Sequence, residues 1–318
     1  MFAPYVSSFT GVALSGISSE RSSLLRNCTS CGRSRLTYFR RSRVQKDRWS
    51  RIVEHRRVHA IVGIDTAGIL SGALDAHPGV VTGVLCNSAV YLAGNSVLRK
   101  GLTPSGIVHS WFLGSSVYAA FGLKGYSLVC LYFIVGSAVT KLKIVEKEAL
   151  GIAEARSGRR SPWSVWGSGL AGLLCAFAAL LTSDFNFWQV GFVASFASKL
   201  SDTVSSEVGK AYGKTTYLAT TLQVVPRGTE GAVSLEGSLA GVGSAVLFVA
   251  AAFALGQIDP QGAAFCVAAA VAANYFESCL GATSQASAPW LTNDVVNMIQ
   301  ITVAAATALG LQGAFASG

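Results

Sequence analysis

Apolar stretches recur along the chain at lengths that match a lipid bilayer. A helix needs roughly 20 predominantly apolar residues to cross the hydrocarbon core. Such stretches lie near 78–98, 104–122, 125–140, 163–182, 185–199, 237–256, 262–280 and 294–313, several of them short or interrupted by glycine. A further apolar run, Ala60 to Leu74, carries Asp65 and reads as either a span or an interfacial helix. The pattern predicts an all-α protein, a polytopic transmembrane helical bundle with about 7–9 spans.

Composition supports that class. Charged residues make up 13% of the chain and hydrophobic ones 51%, whereas soluble domains carry about 25% charged residues. So few charges cannot coat a water-exposed surface. The 34 glycines fit as well, because small residues let membrane helices approach closely.

The formal net charge of +9 has to be located before it means anything. Residues 1–60 hold twelve Lys/Arg against Glu20, Asp47 and Glu54, while residues 61–318 hold thirteen of each sign. The basic excess therefore belongs to the leader, and a nucleic-acid partner is not expected. The leader is rich in Ser and Arg, poor in acids, and lacks a long apolar core, as organelle transit peptides do. The expected organisation is a transit peptide over 1–60 and a membrane domain over 61–318.

Threading eight spans in alternating directions puts twelve of the thirteen basic residues of the body on one side. Lys124 alone falls on the other, near Asp75, Asp184 and Asp259. This is the asymmetry of the positive-inside bias. In a protein carrying a transit peptide, that side faces the stroma or matrix, where nucleotides are plentiful.

The polar residues of the body are patterned too. Ser195, Lys199, Asp202, Ser206 and Gly209 follow one another at three- or four-residue steps, one stripe of a helix. Asn274, Glu277, Gly281 and Gln285 form a second stripe, and Asn293, Asn297 and Gln300 a third. Ionisable groups in membrane helices face a water-filled cavity or one another, so the three stripes predict a polar catalytic or transport cavity. Asp202 and Glu207 are five apart, about 140° around an ideal helix. They can share one ion only if the helix breaks between them or if one of them acts through water.

Other signals are weaker. Gly213-Lys214-Thr215 resembles the end of a phosphate-binding P-loop, but Val208 stands where the first glycine is required and no strand precedes it. Pro226-Arg227-Gly228-Thr229-Glu230-Gly231 could cradle phosphate through successive backbone amides. Cys28 and Cys31 form a C-x-x-C within the leader, without a second pair at zinc spacing. His55 and His59 also fall in the leader, and His77 and His109 are isolated.

The polar blocks resemble a widespread membrane family that includes the plastid phytyl-phosphate kinase of plants. The match runs through Lys100-Gly101-Leu102-Thr103-Pro104-Ser105-Gly106 and Asp202-Thr203-x-x-Ser206-Glu207-x-Gly209. It continues through Val225 to Ser234, Glu236-Gly237, Glu277-Ser278-x-x-Gly281-Ala282-x-x-Gln285 and Asn293-Asp294-x-x-Asn297. Glu277 stands where Asp is the more familiar residue, which keeps the carboxylate. The resemblance implies transfer of a phosphoryl group from CTP or another nucleoside triphosphate to phytyl phosphate. The product, phytyl diphosphate, would feed tocopherol and phylloquinone synthesis.

The residues suit such chemistry. Phosphoryl transfer asks mainly for positioning and charge neutralisation, and Mg²⁺ takes one or two carboxylates plus phosphate oxygens. Asp202 and Glu207 are the candidate metal ligands and, with Lys199, the candidate catalytic residues. Lys210, Lys214, Arg227, Gly228, Thr229, Glu236, Lys100, Glu277, Asn293 and Asn297 are candidates for binding phosphate or nucleotide. The prenyl tail of the substrate would lie among apolar helices in the bilayer. The expected location is a chloroplast membrane, inner envelope or thylakoid, with the basic loops in the stroma. The rival readings are a CTP-dependent polyprenol kinase, a lipid-phosphate cytidylyltransferase, and a membrane transporter of an anionic metabolite.

Overall fold

The computed structural model describes residues 68, 71–285 and 288–316. The leader, with its cysteines and histidines, and most of the Ala60–Leu74 run with Asp65 lie outside the described residues. The described elements are helical apart from one small hairpin. In chain order they are α1 (Gly79–Ala93), α2 (Asn95–Gly101), α3 (Pro104–Thr140), α4 (Ile144–Ala149), α5 (Pro162–Thr182) and α6 (Phe185–Tyr212). The hairpin β1 (Thr216–Leu218) and β2 (Ala232–Ser234) follows, then α7 (Leu235–Ala254), α8 (Pro260–Leu280) and α9 (Asn293–Ala316). A π-helical turn, Gly281–Gln285, extends α8.

The helix starts are written in the sequence. Thr103-Pro104, Ser161-Pro162 and Asp259-Pro260 each place a capping side chain before a proline. The oxygen accepts an otherwise unpaired amide, from Gly106, Ser164 and Gly262 respectively. The proline fills the first helical position, where its missing N–H loses nothing. Asp184 and Ser234 cap α6 and α7 in the same way.

α6 is the axis of the bundle, packed against α3, α5, α7, α8 and α9. Phe192, Val193, Ala194, Phe196 and Ala197 along it are at most 1% exposed. Gly237 and Gly241 let α7 come against its backbone: a Cβ at either would lie 3.0 Å or less from the carbonyl oxygen of Ser205 or Ser201. Large apolar residues such as Leu92, Leu181, Leu239 and Leu247 stay on the outer surface, as in a protein solvated by lipid.

Among the described residues five helices are long and apolar enough to cross a membrane, or six if the pair α1 and α2, bent by 81°, is one broken span. That is fewer than the 7–9 expected, and two segments account for the difference. The end of α6 carries too much polarity to qualify on hydropathy, because the site is built there. Within α3, Gly122 sits at φ 63°, ψ −168°, and interrupts the helix. A Cβ on Gly114 would lie 3.1 Å from the Tyr126 ring, although twelve residues span about 18 Å of straight helix. The chain therefore folds back at Gly122, and the stretches read as separate spans form two arms of one element. Only glycine fits the turn: its φ is positive, and a Cβ there would lie 2.5 Å from the Asp75 carbonyl oxygen.

Candidate functional site

At one end of the bundle a cavity of about 440 Å³ opens among the last turns of α6, the 151–160 loop, the Gly228–Ser234 segment, the end of α8 and the start of α9. The three polar stripes meet here. Lys199, Asp202 and Ser206 line it from α6, Asn274, Glu277 and Ser278 from α8, and Asn293 and Asn297 from α9. The further members Ser195, Gly281, Gln285 and Gln300 do not line it. Gln300 is buried and donates to the Ser198 carbonyl (3.2 Å) and hydroxyl (3.0 Å), fastening α9 to α6.

Lys199 is the best-anchored group of the cavity. It is buried, with Nζ 2.5 Å from Asp202 Oδ2 and 3.0 Å from Asn297 Oδ1. Burying this ammonium is tolerable only because a carboxylate accompanies it. Asp202 keeps its other oxygen for the cavity. Asn274 donates to Ser201 Oγ at 3.0 Å, holding α8 in register with α6. Glu277 is half-buried and lies within electrostatic reach of Asp202, Lys199 and Glu230.

Glu207 lines the cavity with Asp202 but is engaged by a different partner. α6 is continuous from Phe185 to Tyr212, so no break brings Glu207 round to Asp202. Its carboxylate pairs with Lys147 of α4, both side chains being almost wholly buried. Lys147 also donates to the Thr140 carbonyl at 2.8 Å. The carboxylate within electrostatic reach of Asp202 is Glu277, and Glu230 is in turn within reach of Glu277. Among the described residues no three His, Cys, Asp or Glu groups gather closely enough to hold a metal by themselves. One or two carboxylates completed by phosphate oxygens is the Mg²⁺ pattern, and the donors fit that pattern.

The remaining candidates divide. Lys210, Gly228 and Thr229 line the cavity. The Thr229 amide and hydroxyl both return to the Pro226 carbonyl, at 3.3 and 2.8 Å, so neither donates into the cavity. Arg227 is exposed beside it and reaches the Lys210 carbonyl at 3.5 Å. Lys100 and Lys214 are exposed and Glu236 stands in the first turn of α7; none of the three lines the cavity.

Sequence reasoning passed over Lys147, Glu154, Arg159, Arg160 and Tyr132. All but Lys147 line the cavity. The 141–161 segment registered only as a basic loop. The available signal was Arg159-Arg160 immediately before the Ser161-Pro162 helix start, which fixes both side chains at a helix entrance.

A second cavity, of about 270 Å³, lies between α1, α2, both arms of α3 and the start of α5. Its lining is almost entirely apolar, including Leu98, Leu113, Val129 and Phe133. Val90, Val97 and Ile134 of this lining are also exposed on the outer surface, so the cleft opens sideways toward lipid. Tyr132, Arg160 and Ser168 line both cavities. The Arg160 guanidinium donates to the Tyr132 hydroxyl, which donates to Ser168 Oγ at 2.8 Å.

Fold and site together define a multi-pass membrane protein with an apolar, lipid-facing cleft against a charged cavity. The chain belongs to the integral membrane protein DUF92 family, whose model matches residues 87–305 and so takes in both cavities' linings. It is 46% identical over 255 residues to the protein VTE6, chloroplastic, of Arabidopsis thaliana, covering 77% of each chain. It is 50% identical over 234 residues to an uncharacterized membrane protein of Synechocystis sp., covering 73% of this chain and 91% of that one. An uncharacterized membrane protein of Methanocaldococcus jannaschii is 33% identical over 204 residues, covering 64% of this chain and 82% of its own. No solved structure matches the chain.

Proposed function

We propose that this protein is a phytyl-phosphate kinase of a chloroplast membrane. It transfers the terminal phosphoryl group of a nucleoside triphosphate, CTP foremost, to phytyl phosphate, and the product is phytyl diphosphate. Family membership and the chloroplastic relative support the assignment. The observation that carries it is the shared wall of the two cavities. A prenyl monophosphate has an apolar chain joined to a dianionic head, and the apolar cleft and charged cavity meet at Tyr132, Arg160 and Ser168 in the same order.

In the reaction an oxygen of the acceptor phosphate attacks the γ-phosphorus. The bond from that phosphorus to the β-bridging oxygen breaks, and the nucleoside diphosphate leaves with the bonding pair. The acceptor oxygen is already ionised near neutral pH, so no strong general base is needed. Positioning and charge neutralisation are the main tasks. Lys199, fixed by Asp202 and Asn297, presents a cation at the cavity wall, and Lys210 offers a second toward the donor phosphates. Asp202, with Glu277 or Glu230, would hold Mg²⁺, which would supply charge neutralisation for the donor phosphates. Glu207 supports the site by fixing α4 against α6 through Lys147.

The twelve basic residues on the cavity side argue for that side facing the stroma, where nucleotides are supplied. Incubation with CTP, Mg²⁺ and phytyl phosphate tests the reaction class. CDP is the expected by-product, whereas pyrophosphate would identify a cytidylyltransferase.

A further inference from the structure

We infer that Arg160 is the anchor of the acceptor phosphate, the group that makes this site take a prenyl monophosphate and not a prenyl alcohol. This rests on the kinase reading and names the residue that recognises its lipid substrate. The guanidinium is held in place without being neutralised. Its carbon lies 4.6 Å from the centroid of the Tyr132 ring and 5.9 Å from that of Phe133. One nitrogen, Nη1, donates to the Tyr132 hydroxyl. Among the described residues no carboxylate pairs with it.

The other cations nearby are accounted for differently. Lys199 is paired with Asp202 and Lys147 with Glu207. Arg159 is exposed and donates to the Leu102 carbonyl at 3.1 Å. Lys210 lines only the polar cavity, within electrostatic reach of Glu207. Arg160 is thus the cation that touches both compartments and keeps its charge available.

Its backbone is also fixed. The Arg160 amide donates to the Gly101 carbonyl at 2.9 Å, and the Arg160 carbonyl accepts from Thr103 at 3.0 Å. The Arg160 backbone is therefore held by two hydrogen bonds at the junction of α2 and α3, and its guanidinium lies on the Tyr132 face. Its remaining N–H groups form the planar fork that suits two oxygens of one phosphate. A phosphate bound there would leave the attached chain in the cleft, beside Leu98, Val129 and Phe133. Its free oxygens would project into the charged cavity. A prenyl alcohol could enter the same cleft but would offer the fork no anion. Tyr132 is a positioning residue in this scheme, because its hydroxyl is already engaged by Arg160 and Ser168.

The test is equilibrium binding of labelled phytyl phosphate and of phytol to the full chain in detergent, without nucleotide, so that no turnover can occur. The wild type should bind phytyl phosphate at least tenfold more tightly than phytol. Arg160→Gln should remove that difference while leaving phytol affinity and CTP affinity within about twofold. Arg160→Lys keeps the charge but loses the fork, and should fall between the two. Thermal unfolding of each variant shows whether the fold is retained. Should Arg160→Gln fail to fold, Arg160→Lys carries the test, an unchanged phytyl-phosphate affinity there overturning the proposal.

Inorganic phosphate should compete only at far higher concentration than phytyl phosphate. Equal competition would overturn the link between the fork and the cleft. Equal binding of phytyl phosphate and phytol by the wild type, or an Arg160→Gln variant that binds phytyl phosphate normally, would overturn the inference whether or not kinase activity is found. Arg160-dependent binding without diphosphate formation from any nucleotide would instead leave the anchor standing and remove the kinase.

Discussion

Lys147 and Glu207, sixty positions apart in sequence, form a buried ion pair between α4 and the last turns of α6. The short helix α4 is thereby fixed against the charged end of the bundle, with the Thr140 carbonyl as the third partner. Removing one member leaves the other buried and unpaired. Lys147→Met or Glu207→Gln should each destabilise the protein by about 3 kcal/mol. The pairing has its own signature: in a double-mutant cycle the combined Lys147→Met/Glu207→Leu variant should lose clearly less than the sum of the single losses. Thermal or denaturant unfolding in detergent measures both.

Asp202 adds a role in chemistry to a structural one. It lines the cavity while pairing with the buried Lys199. Asp202→Asn should lower turnover by about a hundredfold or more and also lower the unfolding midpoint, because Lys199 is left buried without its carboxylate. Glu277→Gln should raise the Mg²⁺ concentration needed for half-maximal activity. An unchanged Mg²⁺ dependence would remove Glu277 from the ion's neighbourhood.

These contrasts show what was legible in the sequence. Helical periodicity revealed the stripes of Lys199 and Asp202, of Asn274 and Glu277, and of Asn293 and Asn297, because a regular helix fixes which residues share a face. Their meeting in one cavity followed from the cost of polar groups in lipid. The partner of Glu207 was not legible. Contacts between helices far apart in sequence leave no periodic trace, and α4 is only six residues long. Arg160 was hidden for a similar reason: as one of several loop cations, only the fold distinguishes it from Arg156 or Lys214. Fewer helices than the expected spans are long and apolar enough because the two arms that meet at Gly122, separate stretches in the sequence, run on as one element, and because polar residues of α6 dilute its hydropathy.

Gly122 gives a stability prediction independent of function. Gly122→Ala forces a side chain into a positive φ and against the Asp75 and Ala76 carbonyls. The combined strain should cost about 1–3 kcal/mol or more and reduce the yield of folded protein. Gly243→Ala, on the same kind of helix but with open space around it, is the control and should be neutral or slightly stabilising. Unfolding midpoints in detergent compare the two.

Lys100 and Glu236 belong to the family-like blocks and Lys214 to the stretch that resembles a P-loop, but all three stand away from the cavity lining. Alanine at each should leave the KM for both substrates within about twofold of wild type, as for surface groups outside a site. A large rise in nucleotide KM for Lys214→Ala would mean that the β1–β2 segment closes over the cavity when nucleotide binds.

The central claim is tested most directly by following label from γ-labelled CTP in purified full-length protein with Mg²⁺ and phytyl phosphate in detergent. The expected result is labelled phytyl diphosphate with an equivalent amount of CDP, lost in Asp202→Ala. Folded wild-type protein that forms no diphosphate from any prenyl phosphate, with CTP or any other nucleoside triphosphate, would contradict it.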